Sequence, residues 1–131
     1  MTSRPLPRPT ELSQPFWDGC AEGVLRVQQC GQCGELVFVP RPMCPACQSD
    51  DLAWIDSTGL GEVYSYTVVH RPPSPAFEVP YVVAIVELEE GWYLLSNVID
   101  CDPGDVTVGA PVTAVFDPVD PAITLPQFRL R

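Results

Sequence analysis

The chain contains no lysine, and its seven cations are all arginine. Without lysine there is no amine for a Schiff base and no phosphate-loop cation. His70 is the only histidine, which rules out a histidine-rich metal centre and leaves no second imidazole to share proton transfer. Neither GxSxG nor a glycine-rich phosphate loop occurs. No apolar run approaches the roughly 18 residues needed to cross a bilayer. The opening MTSRPLPRPTELSQPFW also lacks the apolar stretch of a secretion signal. A cytoplasmic protein with no membrane partner is therefore expected, and no catalytic residue is assigned. Glu89-Glu90 and the Asp100, Asp102 pair stand in turn-like contexts where solvated carboxylates are the default.

Sixteen prolines and nine glycines in 131 residues exclude a long-helix architecture, while an apolar fraction of 46% is ample for a core. Charge is unevenly distributed. Residues 1 to 47 balance four arginines with four acids, whereas residues 48 to 131 set thirteen acids against Arg71, Arg129 and Arg131 and carry the whole net −10. Such a surface repels a polyanion.

Four of the six cysteines stand as Cys30-Gly-Gln-Cys33 and Cys44-Pro-Ala-Cys47, separated by ten residues. A CxxC pair bends around one ion so that both sulfurs face it, and two such knuckles fill the four tetrahedral positions zinc prefers. Gly34 follows the first pair, where a knuckle needs positive φ. Between the pairs, Leu36-Val37-Phe38-Val39-Pro40 reads as a hairpin strand and Arg41-Pro42 as its turn. One structural zinc held by Cys30, Cys33, Cys44 and Cys47 is expected; two disulfides or a redox-active pair are the competing explanations. Cys20 and Cys101 read as small buried residues.

The sequence falls into three parts: an N-terminal tail and docking helix (1–23), a zinc ribbon (24–58) and a β-barrel (59–131). Residues 1 to 9 are rich in proline and arginine and read as disordered or extended against a partner. SQPFWDGCAEG, Ser13 to Gly23, carries a capping serine, an early proline and a terminal glycine, which predict a helix of two to three turns. Phe16, Trp17 and Cys20 share one side. The two aromatics either pack on the rest of the chain or anchor it to another protein.

Beyond the ribbon, Leu52 to Ile55 is a short strand, and Gly59-Leu60-Gly61 lets the chain swing into a new module. Strands are predicted at Glu62 to His70, Tyr81 to Glu87, Trp92 to Ile99, Pro111 to Asp117 and Gln127 to Leu130. Five short strands with no crossover helix suggest a Greek-key barrel of the OB type. The fold class is therefore mainly β, with a short N-terminal helix, a four-cysteine zinc ribbon and a five-stranded OB-type barrel. The loop Arg71-Pro-Pro-Ser-Pro-Ala-Phe-Glu-Val-Pro80 is long for a hairpin, and its prolines favour polyproline geometry. Phe77 at its centre either tucks over the barrel mouth or inserts into a ligand or partner.

Phe16-Trp17, Leu25, Cys30-x-x-Cys33-Gly34, Pro40-Arg41, Cys44-Pro45-x-Cys47, Gly59-x-Gly61 and Tyr64-Ser65-Tyr66-Thr67-Val68-Val69-His70 occur in one order. Pro80-Tyr81, Glu87-Leu88, Glu90-Gly91, Val108-Gly109 and Phe128-Arg129 continue it. This combination resembles the rubredoxin-like zinc-ribbon plus OB-fold accessory proteins associated with acyl-CoA enzymes of the thiolase superfamily. The resemblance implies a non-catalytic accessory subunit, required by a lyase or transferase complex, in a hetero-oligomer with a thiolase or a retro-aldolase of steroid side-chain degradation. In such a role Phe16 and Trp17 are expected to anchor the partner, and His70, Arg71, Phe77 and Pro80 to share in the acyl-CoA channel or its lid. With so few arginines in the barrel, acyl-CoA is expected to bind mainly in the complex. The alternative is a zinc-ribbon/OB-fold nucleic-acid-binding module, which the acidic barrel opposes, since single-strand binding needs a basic groove.

Overall fold

The computed structural model describes residues 5–131. Residues 1–4, part of the expected N-terminal tail, lie outside the described residues. Helix α1 spans Gln14–Glu22, with Pro15 in its first turn, where a missing N–H costs nothing. It ends at Gly23, whose φ of 81° lets the amides of Gly23 and Val24 close on the carbonyls of Cys20 and Gly19. Ser13 does not cap the helix as expected. Its side chain accepts instead from the Thr10 amide at 2.9 Å, so the turn before the helix competes successfully for the hydroxyl.

The ribbon is a three-stranded antiparallel sheet. Its central strand β1 (Arg26–Cys30) lies between β2 (Leu36–Val37) and β3 (Leu52–Asp56). β1 escaped the sequence reading because RVQQC does not alternate apolar with polar: Val27 and Gln28 are both buried. Gln28 is nonetheless satisfied. Its amide accepts from the Arg41 N–H at 2.8 Å and donates to the Arg41 carbonyl at 3.0 Å, holding the segment after β2 against the sheet.

Five strands form the closed barrel: β4 (Leu60–Val69), β5 (Tyr81–Leu88), β6 (Tyr93–Ile99), β7 (Pro111–Asp120) and β8 (Ile123–Leu130), in the order β4-β5-β6-β8-β7. Every neighbouring pair is antiparallel except β6 with β8, which closes the barrel through Val98 with Phe128 and Ile99 with Arg129. β8 begins at Ile123, ahead of the expected Gln127. Pro126 is tolerated inside it because β8 has only one bonded neighbour at that level, β6 joining at Phe128. Gly61 has no room for a side chain against β5: a Cβ there would lie 2.5 Å from the Glu87 carbonyl.

Inward positions of β5, Val82, Ala84, Val86 and Leu88, follow the period of two and fill the core with Val63, Leu94, Val98, Val112 and Phe128. The helix and ribbon contribute Phe16, Cys20, Leu25 and Val27 to the same core. A chain of rings joins the three parts, with centroid separations of 5.1 Å for Trp17–Phe16, 5.3 Å for Phe16–Phe38 and 5.3 Å for Phe38–Trp92. Among the described residues no helix is long and apolar enough to cross a membrane.

Candidate metal centre and ligand cleft

Each CxxC pair forms the same local structure. The Cys30 amide donates to the Glu35 carbonyl at 2.9 Å and the Gly34 amide returns to the Cys30 carbonyl at 2.9 Å. Cys44 repeats this with Ser49 and Gln48, at 2.8 Å in both bonds. Both knuckles turn at a residue of positive φ, 78° at Gly34 and 64° at Gln48. The second was not legible, because glutamine carries no signal for that conformation.

These turns bring the four sulfurs within 4.8 Å of one another. Cys30 and Cys47 lie 3.5 Å apart, and Cys33 and Cys44 3.6 Å. Four thiolates around zinc at about 2.3 Å sit about 3.8 Å from each other, so the cluster fits a tetrahedral ion. Cys30 and Cys44 are buried, whereas Cys33 and Cys47 reach the surface. In the free thiol cluster, the Cys33 amide, outweighing burial and helped by the Gln32 amide, brings Cys30 down to about 6. The four cysteines are placed to hold one metal ion together.

The Arg71–Pro80 loop does not adopt the extended polyproline form expected of it. It folds through turns, with the Phe77 amide on the Ser74 carbonyl and the Ala76 amide on the Ser74 hydroxyl. Phe77 stacks on Tyr81 at 5.9 Å. Phe77 and Pro80, with Tyr81, Asn97, Cys101 and Gln127, line a cleft of about 670 Å³. His70 and Arg71 are exposed and do not line it. The sequence reading missed Asn97 and Gln127, two amides that line both this cleft and a second, apolar groove of about 350 Å³.

That groove is walled by Phe16, Trp17, Phe38, Leu94, Leu95 and Leu125 among others. Of the two aromatics expected to anchor a partner, Phe16 is only 5% exposed and packs within the chain. Trp17 is half-buried and remains at the groove. Cys20 is buried, and burial pushes its thiol up to about 12. Cys101 is half-buried on the cleft wall, where burial first and the neighbouring Asp105, Asp102 and Asp100 next push its thiol up.

Glu90 is not the solvated turn carboxylate expected from its context. It accepts from the Ser57 hydroxyl at 2.7 Å, the Thr58 amide at 2.9 Å and the Trp92 indole at 3.1 Å. Desolvation alone would raise its pKa, but these donors prevail and hold it below the usual value. The end of the ribbon is thereby tied to the barrel.

Comparison with known proteins agrees with this architecture. Residues 17–53 match the family described as ChsH2, rubredoxin-like zinc ribbon domain, and residues 54–117 match ChsH2, C-terminal OB-fold domain. A curated relative in Thermomonospora curvata, named "Probable enoyl-CoA hydratase alpha subunit", is 43% identical over 94% of this chain. The 3-oxo-4,17-pregnadiene-20-carboxyl-CoA hydratase alpha subunit of Mycobacterium tuberculosis is 39% identical over 77% of it. The chain spans only 39% and 32% of the length of these two relatives. A solved structure titled Ltp2-ChsH2(DUF35) aldolase superposes with a TM-score of 0.87 at 40% identity, covering 95% of this chain and 98% of that one. With both of its modules matched in sequence and the fold reproduced, the chain belongs to the ChsH2 family of rubredoxin-like zinc-ribbon and OB-fold proteins.

Proposed function

We propose that the chain is a non-catalytic accessory subunit of a thiolase-superfamily enzyme acting on CoA thioesters, a thiolase or a retro-aldolase of steroid side-chain degradation. One observation carries this reading: the likeness, across nearly its full length, to a chain of the solved structure titled Ltp2-ChsH2(DUF35) aldolase. The chain's own chemistry is consistent with it. Four thiolates saturate a zinc ion and leave no position for water, so the metal serves the fold. One Zn2+ per chain locks the ribbon, and the ribbon, through Phe38 and Trp92, fixes the barrel.

In the complex, the turn-built loop carrying Phe77 and Pro80 closes over part of the partner's acyl-CoA channel. It excludes water and orients the pantetheine arm, while Trp17 packs at the join. The adenosine phosphates need cationic or amide donors, which the partner supplies. His70 and Arg71 stand at the start of the same loop and serve its outer edge.

Reconstitution tests the proposal. The enzyme subunit that co-purifies with this chain is assayed for acyl-CoA cleavage alone and with the chain added back. Activity that rises at least tenfold on addition, saturating at a fixed stoichiometry, is expected. Activity independent of the chain, or catalysis by the chain alone, contradicts the accessory role.

A further inference from the structure

The outer face of the barrel across β4, β5 and β6 is unusually apolar for a free surface. Tyr64 is 55% exposed, Tyr93 45%, Leu95 67% and Ile85 36%. The register gathers them. Ser65, Ile85 and Leu95 form one cross-strand row, and Glu62, Glu87 and Tyr93 form the next. Tyr64, at the irregularity between Val63 and Ser65, lies edge-on to Tyr93 with ring centroids 5.1 Å apart. Side chains this large on adjacent positions make a contiguous patch rather than scattered exposure.

The second row holds an oddity. Glu62 and Glu87 are directly opposite each other on neighbouring strands, an arrangement of like charges that destabilises a sheet. Among the described residues the ion pairs all involve Arg26, on the ribbon, and none reaches Glu62 or Glu87. Glu87 accepts only a long bond from the Tyr93 hydroxyl at 3.4 Å. Two carboxylates flanked by two aromatic rings suit a guanidinium or ammonium, through charge-assisted hydrogen bonds and cation–π contact.

We infer that this face docks the enzyme subunit of the complex, with Ile85 and Leu95 against an apolar patch and a partner arginine or lysine seated between Glu62 and Glu87 beside Tyr64 and Tyr93. The inference rests on the accessory-subunit reading and assigns it a surface. Charge selects this occupant over two others. A second copy packed through the same face would set Glu62 and Glu87 against their own copies, with no cation in either row, and a nucleic acid would be repelled by the net −10.

The test uses the full chain and the enzyme subunit it retains from its native cells, identified by mass spectrometry and then purified apart. That subunit is titrated with wild type, Leu95→Asp, the Glu62→Gln/Glu87→Gln double variant, and Val39→Asp as a control on the ribbon, where Val39 is 63% exposed. Leu95→Asp and the double variant are each expected to bind at least tenfold more weakly, and the double variant to lose most of the salt dependence shown by wild type. Val39→Asp should bind as wild type does. Metal content and circular dichroism report folding, and should Leu95→Asp fail to fold, the double variant carries the test. Unchanged affinity in both face variants, or equal weakening by Val39→Asp, overturns the inference while leaving the accessory role intact. A wild-type homodimer that Leu95→Asp dissociates also overturns it, in favour of self-association. Retention of no enzyme subunit removes the accessory reading, and this inference with it.

Discussion

Cys30 and Cys44 are the two ligands shut away from solvent, and each also anchors the backbone turn of its knuckle. Serine at either position leaves three thiolates and a buried hydroxyl where zinc needs a sulfur. Because ion binding in so small a ribbon supplies much of its folding energy, Cys30→Ser is expected to lose bound zinc and most soluble expression, read by elemental analysis and by yield. The spacing made this site legible, since the two cysteines of each half stand three positions apart and the backbone bonds of each knuckle span four or five. Glu90 was not legible for the opposite reason: its donors Ser57 and Thr58 lie 33 and 32 residues away in sequence. Cys20 gives a second residue-scale prediction. With its thiol pushed up to about 12 by burial, it should not react with a disulfide reagent at pH 8 in the native zinc-loaded protein. It should become reactive only on unfolding; rapid labelling of Cys20 in the folded protein would contradict its burial.

At the scale of elements, the seams matter more than the elements themselves. Phe16 joins α1 to the ribbon through Phe38, and Phe38 joins the ribbon to the barrel through Trp92. Phe16→Ala is expected to cost about 3–5 kcal/mol, the usual range for a buried phenylalanine, measured by denaturant unfolding. Glu90 adds a pH-dependent part to the ribbon–barrel seam. Its folded pKa is lowered, so its contribution is complete above the ordinary value of 4.5 and disappears as the pH falls through the lower folded value. Glu90→Gln should therefore be less stable than wild type near neutrality, by about 1–2 kcal/mol for charge-assisted bonds at a partly exposed site. The gap should close in acid. A gap that persists unchanged at low pH would assign the effect to packing. The barrel strands were readable from alternation in β4 and from apolar, β-branched runs in the others, though β8 only from Gln127; the parallel closure of β6 on β8 was not, because it depends on two residue pairs thirty positions apart. The turns of the Arg71–Pro80 loop were hidden too: its prolines suggested extension, while Ser74 supplied the turn bonds.

On the scale of the whole molecule, the acidic barrel decides which partners are compatible. Residues 48 to 131 offer only Arg71, Arg129 and Arg131 to an anion, so CoA should bind the isolated chain weakly and the assembled complex strongly. Calorimetry checks this, and submicromolar affinity of the lone chain for CoA would contradict it. The same charge predicts no retention on heparin and strong retention on an anion exchanger. Composition made this property plain, whereas the face across β4, β5 and β6 needed the register to appear. The most direct measurement is an affinity pull-down of the tagged chain from its native cells, with the retained proteins identified by mass spectrometry. Stoichiometric recovery of a thiolase-fold enzyme is the predicted result; recovery of nucleic acid or ribosomal proteins in its place would contradict the account.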